Sequence, residues 1–201
     1  MFDYNSDVEQ AEALHKFWQQ YKIKILLAIL ILLGSIYGYQ RLAAANMQEQ
    51  TAAADIFYEL ITNDKSENAE TLIKKHHNSV YADLAILWQA KKAVASQKYE
   101  QALKDYNTVI KTNRNPAITE LAIWYKTHVL VNLKQYKAAH ANLEKISNNQ
   151  DIVNELRGDI YLLENKKSLA YSAYNAGMDA STDPVIKQRI KLKQQSIYRT
   201  P

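Results

Sequence analysis

The stretch KIKILLAILILLGSIYGYQR, Lys22 to Arg41, is the one long apolar run in a 201-residue chain that is otherwise polar. From Ile25 to Gln40 no side chain is charged, and nine of those sixteen residues are Leu or Ile. Sixteen helical residues rise roughly 24 Å, short of a bilayer core of about 30 Å. The ends make up the difference. Lys22, Lys24 and Arg41 can bury their stems and keep their charges at the headgroups. Ile23 and Leu42-Ala43-Ala44-Ala45 then carry the span to residues 23–45. Trp18 and Tyr21 precede the run, and Tyr37 and Tyr39 close it, as rings do where they belt a bilayer interface. Trp18, Tyr21, Lys22, Lys24, Tyr37, Tyr39 and Arg41 are therefore the candidate membrane-interface residues.

Nine Leu or Ile side chains favour insertion by a few kcal/mol on the insertion scale. A buried soluble helix is one rival reading, but such a helix would be apolar on every face with nothing else in the chain to surround it. A cleaved signal peptide is another, with Ala43-Ala44-Ala45 as the small-residue cleavage site. Against cleavage, some 22 residues precede the run and include Asp3, Asp7, Glu9 and Glu12, whereas a signal n-region is short and basic. Lys16, Lys22 and Lys24 lie before the span, and after it Arg41 stands alone until Lys65. The positive-inside rule then puts the N-terminus in the cytoplasm and the long C-terminal part across the membrane.

With no cysteine, the chain has no disulfide, zinc–thiolate site or iron–sulfur cluster. The net charge of +4 is spread out and gives no reason to invoke nucleic acid. Residues 1–22 read as a short cytoplasmic segment, with Ser6-Asp7-Val8-Glu9 as a capping box and Val8, Ala11, Leu14, His15 and Trp18 at helical spacing. Residues 46–78 read as a linker with leading helices. Ala52, Ala53, Ile56, Phe57, Leu60 and Ile61 form a helical stripe there, residues 63–68 form a turn cluster, and Glu70 to His77 a further helix.

Residues 79–201 carry weak internal repeats. Gln97-Lys98-Tyr99-Glu100-Gln101-Ala102 matches Lys134-Gln135-Tyr136-Lys137-Ala138-Ala139, and Asn165 to Ala170 follows more loosely. Four residues after each alanine comes Tyr106, Leu143 or Tyr174, and three further on Val109, Ile146 or Gly177. Gly158 lies twelve residues before Ala170; Ala90 is its counterpart in the first repeat, and Thr127 fits the site only loosely in the second. This resembles the tetratricopeptide pattern, in which small residues let paired helices pack closely. The alanine spacings, 37 and 31, straddle the usual 34. Three degenerate units follow, at 80–114, 117–148 and 151–182, with Asn115-Pro116 and Asp183-Pro184 as cap-and-proline helix starts. Residues 184–198 supply a capping helix, in which Ile186, Ile190 and Ile197 can cover the last pair, leaving Lys187, Arg189, Lys191 and Lys193 largely to solvent. The expected fold is all-α: one transmembrane helix followed by a helical-repeat solenoid.

Several features together resemble the YfgM family, ancillary subunits of the bacterial Sec translocon. They are the acidic tail with Val8-Glu9-Gln10 and Lys16-Phe17, the single span, the Ala-rich exit, the repeat from Val131 to Leu143, and Leu156-Arg157-Gly158-Asp159. The resemblance implies an inner-membrane protein with a periplasmic repeat domain. It implies association with the SecYEG channel and with a membrane-anchored, prolyl-isomerase-like periplasmic chaperone. A part in handing emerging chains to other periplasmic chaperones is also implied.

No catalytic constellation is visible, so neither an enzyme nor a cofactor is expected. His76-His77 is the one histidine pair, and adjacent helical residues diverge by about 100°, so it reads as solvated turn histidines rather than a metal site. Trp88 reads as core. Taking Thr127 as the small position places Leu121, Trp124, His128 and Val131 on the concave face, with Lys91 from the first repeat and Glu155 and Asp159 from the third. These seven form the candidate protein-binding groove. Two functions stay open: a membrane-anchored scaffold at the export channel, or a transmembrane signalling component whose acidic segment binds a regulator. Deleting residues 2–15 separates them, because only signalling loses its output. A soluble chaperone released by cleavage near Ala45 is a third reading.

Overall fold

The computed structural model describes residues 4–197, with the side chains of residues 4–10 and of Ala13 outside that description. Among the described residues the chain is nine α-helices without a strand. They are α1 (Tyr4–Asn63), α2 (Ser66–Lys75), α3 (Val80–Ala95), α4 (Tyr99–Thr112), α5 (Pro116–Asn132), α6 (Tyr136–Leu143), α7 (Gln150–Leu163), α8 (Lys167–Ala180) and α9 (Pro184–Ser196). The chain divides between Ala52 and Ala53 into two compact units.

Within the first unit α1 is unbroken. Its described part already includes Tyr4, two residues before Ser6, so Ser6 falls inside the helix and does not start it; capping by the Ser6 and Glu9 side chains lies outside the described residues. No proline interrupts the sequence from there to Asn63, and Gly34 and Gly38 are tolerated as isolated helical glycines. The apolar side chains find no protein cover: Leu30 is 65% and Ile31 68% exposed. Ser35 satisfies its hydroxyl on the Ile31 carbonyl oxygen at 2.8 Å.

In the second unit the repeats are paired helices α3–α4, α5–α6 and α7–α8, at the registers read from the sequence. Each pair turns in the same way. Gln97, Lys134 and Asn165 take left-handed backbone with φ of 58°, 58° and 62°. The next amide reaches back to the carbonyl of Ala93, Leu130 or Tyr161, at 2.8 Å in every case. This is the Schellman closure of a helix C-terminus, made here without glycine. Asn115 and Asp183 cap as expected, their side chains accepting from Ala117 N at 2.9 Å and Val185 N at 2.7 Å, with proline next in each case.

The small positions pack as the pattern requires. Ala90 and Thr127 are fully buried, as are Ala102, Ala139 and Ala170 opposite them. In the third repeat a Cβ at Gly158 would fall 2.5 Å from the Tyr174 ring, so the bare backbone is what admits that ring. At Gly177 a Cβ would lie 3.0 Å from the Asp151 carbonyl oxygen and 3.2 Å from Ile190 Cδ1, so this glycine lets α8 pack closely on the backbone of α7 beside the terminal helix. Ile190 and Ile197 are buried against α8, with Ile186 packed alongside. Residues of the 46–78 segment from Ala53 onward contribute to this unit: Ala53, Leu60, Ala69, Leu72 and Ala85 form one apolar cluster, with Trp88 packed on it as core.

Candidate functional site

The first unit places the interface candidates along α1. Lys24 Nζ lies 5.3 Å from the centre of the Tyr21 ring, and the Arg41 guanidinium 5.4 Å from the Tyr37 ring. Arg41 Nε also donates to the Tyr37 hydroxyl at 3.0 Å. Each cation therefore rests on a ring about one turn away at either end of the apolar run, a pairing suited to a wet boundary. Lys22 and Tyr39 are exposed, and Trp18 is half exposed.

In the second unit the seven groove candidates fall into three places. Leu121 and Trp124 line a cavity of about 370 Å³ between the start of α5 and the start of α7, closed by Ile146, Ile152 and Val153. Glu120 stands at its rim. Its carboxylate accepts from Asn148 Nδ2 at 2.9 Å and from the Ser147 hydroxyl at 3.0 Å, and these bonds hold its pKa below the ordinary value.

Lys91 and His128 line a second cavity, about 350 Å³, between α3 and the latter half of α5. Burial depresses the His128 imidazole pKa, outweighing the opposite pull of Asp159. Trp124 and His128 meet edge to face at 5.1 Å, so they form a ridge on α5 between the two cavities. Val131 packs on the core cluster of the second and third repeats rather than into either cavity.

Glu155 and Asp159 are taken by α9. Arg189 donates to Glu155 through Nε at 3.0 Å and Nη2 at 2.5 Å. Lys193 reaches Glu155 at 2.9 Å and Asp159 at 2.7 Å. The Tyr174 hydroxyl also donates to Asp159, at 2.6 Å. Burial alone would raise the Glu155 pKa, but the hydrogen bonds and charges of Arg189 and Lys193 together hold it below 4.5. Arg189 and Lys193 thus bind protein carboxylates and do not simply face solvent, whereas Lys187 and Lys191 are exposed as expected. The reason is geometric: α9 follows α8 as the next first helix of the array, so its inner face meets α7.

Tyr125 and Tyr106 were not singled out by the sequence reading, yet both line the second cavity. Tyr125 lies four residues after Leu121 and three before His128, on the stripe already chosen, so the signal was present. Tyr106 was visible only as a repeat position. Its phenol is pushed up to about 12 by burial, with Tyr125 and Asp105 adding to the shift. Among the described residues no three His, Cys, Asp or Glu side chains gather as a metal site. His76 is half-buried and His77 exposed in the turn after α2.

The fold and these surfaces define a helical-repeat protein led by one helix long and apolar enough to cross a membrane. A family of tetratricopeptide repeat-like domains matches residues 15–199, and the chain belongs to that family. It is also similar to proteins named "Ancillary SecYEG translocon subunit" in three bacteria: Haemophilus influenzae (22% identical), Escherichia coli (23%) and Neisseria gonorrhoeae (27%). Each alignment covers 94% of this chain, and 96%, 96% and 98% of the respective relative. The resemblance drawn above from the tail, the span and the repeat residues therefore extends over nearly the whole chain.

Proposed function

We propose that this protein is a non-enzymatic scaffold at the bacterial Sec translocon: a single-pass inner-membrane protein that holds a repeat domain beside the export channel. One observation carries this reading. A span-length helix with its Leu and Ile side chains exposed belongs to the same chain as a repeat unit whose first-helix face is opened by two apolar cavities on either flank of α5. The names of the relatives support the channel as partner. The lysines before the span support a cytoplasmic N-terminus and a periplasmic repeat domain. A membrane-anchored, prolyl-isomerase-like periplasmic chaperone is the partner that the family resemblance offers for the repeat face, with other chaperones or translocating chains as further clients. In this reading 1–22 is cytoplasmic, 23–45 spans the lipid bilayer, 46–78 leads outward and 79–201 binds.

The test is photo-crosslinking in native membranes, with one probe at Ile31 and one at Trp124. The expected products are channel subunits from Ile31 and a periplasmic chaperone from Trp124. Channel products without a Trp124 product would keep the location and move the binding face off α5. Well-inserted protein that yields no channel product would overturn the translocon reading.

A further inference from the structure

The cavity between α3 and α5 differs in charge from its neighbour. Its floor is made by Val94, Val129 and the rings of Tyr106 and Tyr125, whose centres lie 6.2 Å apart. Its polar lining is Lys91, His128 and Asn132, without a carboxylate. Lys91 is exposed, and no described side chain pairs with its ammonium group. Two acids act on this lining, Asp105 on Tyr106 and Asp159 on His128, and neither pairs with Lys91. Asp105, beside Tyr106, accepts from Gln101 Nε2 at 2.7 Å. Asp159, which acts on His128, is held by Lys193 at 2.7 Å and by the Tyr174 hydroxyl at 2.6 Å. What remains is an apolar slot with an unneutralised cation at its mouth.

We infer that this slot receives a large apolar or aromatic side chain of an extended peptide segment, and that an acidic residue next to it meets Lys91. The inference rests on the docking-face reading of the repeat unit and names the ligand class for it. Burial of the side chain supplies the attraction, while the exposed Lys91 contact selects among sequences. The other cavity, apolar with Glu120 at its rim, lies nearer the N-terminal end of the same helix and on its opposite flank. The parts of α5 that line the two cavities are centred about eight residues apart, or roughly 12 Å along the axis. The cavities open on opposite flanks of α5, so this is the least separation; an extended segment covers it in about four residues, and residues four apart share a face. The preferred ligand therefore carries two apolar side chains at least that far apart, with the acid beside the one in the Lys91 cavity.

The test titrates two amidated, acetylated heptapeptides into the full-length chain in lipid nanodiscs, with binding read by calorimetry. One is Gly-Phe-Asp-Gly-Ala-Leu-Gly, and the other replaces its Asp with Lys. The Asp peptide is expected to bind about fivefold more tightly, the scale of one exposed ion pair. Lys91→Glu should reverse the preference, and Tyr125→Ala should weaken both peptides; both positions are exposed, so the helical signal should not change. Equal binding of the two peptides, an unchanged preference in Lys91→Glu, or no binding of either overturns the inference. If it fails while the Trp124 probe still captures a chaperone, the docking face stands without this ligand class. If both fail, the docking face falls with it.

Discussion

The apolar run of α1 and the short helices of the repeat unit draw on the same Leu, Ile and Ala, yet they dispose of them in opposite ways. Around Leu30 and Ile31 every face is apolar and every side chain is exposed. In α4 one stripe, Ala102, Tyr106 and Val109, is buried while Lys104 and Asn107 stay outside. Glycine marks the contrast most sharply. Gly34 has nothing within 4 Å of where a Cβ would stand, whereas Gly158 has the Tyr174 ring there. The first region is shaped for a solvent that the protein does not itself provide, and the second for neighbours that it does.

The strongest way to break that contrast is to put charge into the run. Leu30→Asp with Leu33→Asp costs about 3 kcal/mol per site on the insertion scale. Alkaline extraction should release the double variant from membranes while the repeat unit stays helical; a variant that remains integrated would remove the span. Leu143, fully buried between the second and third repeats, should lose about 2–5 kcal/mol on Leu143→Ala. Chemical unfolding in detergent would read this, with Leu30→Ala leaving the same transition in place.

A glycine pair comes next. Gly158→Ala gains about 1 kcal/mol in helix propensity but overpacks Tyr174 at a cost of about 1–3 kcal/mol. A lowered melting temperature is expected, against no loss for Gly34→Ala. A rise for Gly158→Ala would mean the ring shifts freely. The smallest effect is a pH dependence. The Glu155 pKa is depressed in the folded chain, so its contribution is present above the ordinary carboxylate value of 4.5 and is lost as pH falls through the folded value. Its partners Arg189 and Lys193 are 49% and 38% exposed, so the amount is about 1 kcal/mol. Acid titration of stability should show this loss, and Glu155→Gln should flatten it.

Much of the fold was legible because it is local. The turn residues Gln97, Lys134 and Asn165, the small residues twelve positions before each second-helix alanine, and the Asn-Pro and Asp-Pro starts each act within one helix pair. The start of α1 was misread because a capping box marks a favourable beginning without preventing a longer helix. The candidate groove was legible only as a stripe. Its division into two cavities depends on the gaps between α3, α5 and α7, and no single helix encodes those gaps.

By itself the sequence determined the uncovered span, the three helix pairs and their registers, since hydrophobic period, turn chemistry and small-residue spacing are properties of short segments. Tertiary structure alone decided the fate of the charges. Arg189 meets Glu155, and Lys193 meets Asp159, each across 34 positions, because the array brings α9 beside α7. Lys91 is left without such a partner. Pairing over that distance depends on how successive repeats stack, which is a sum of many small packing choices and leaves no mark on any one stretch of the chain.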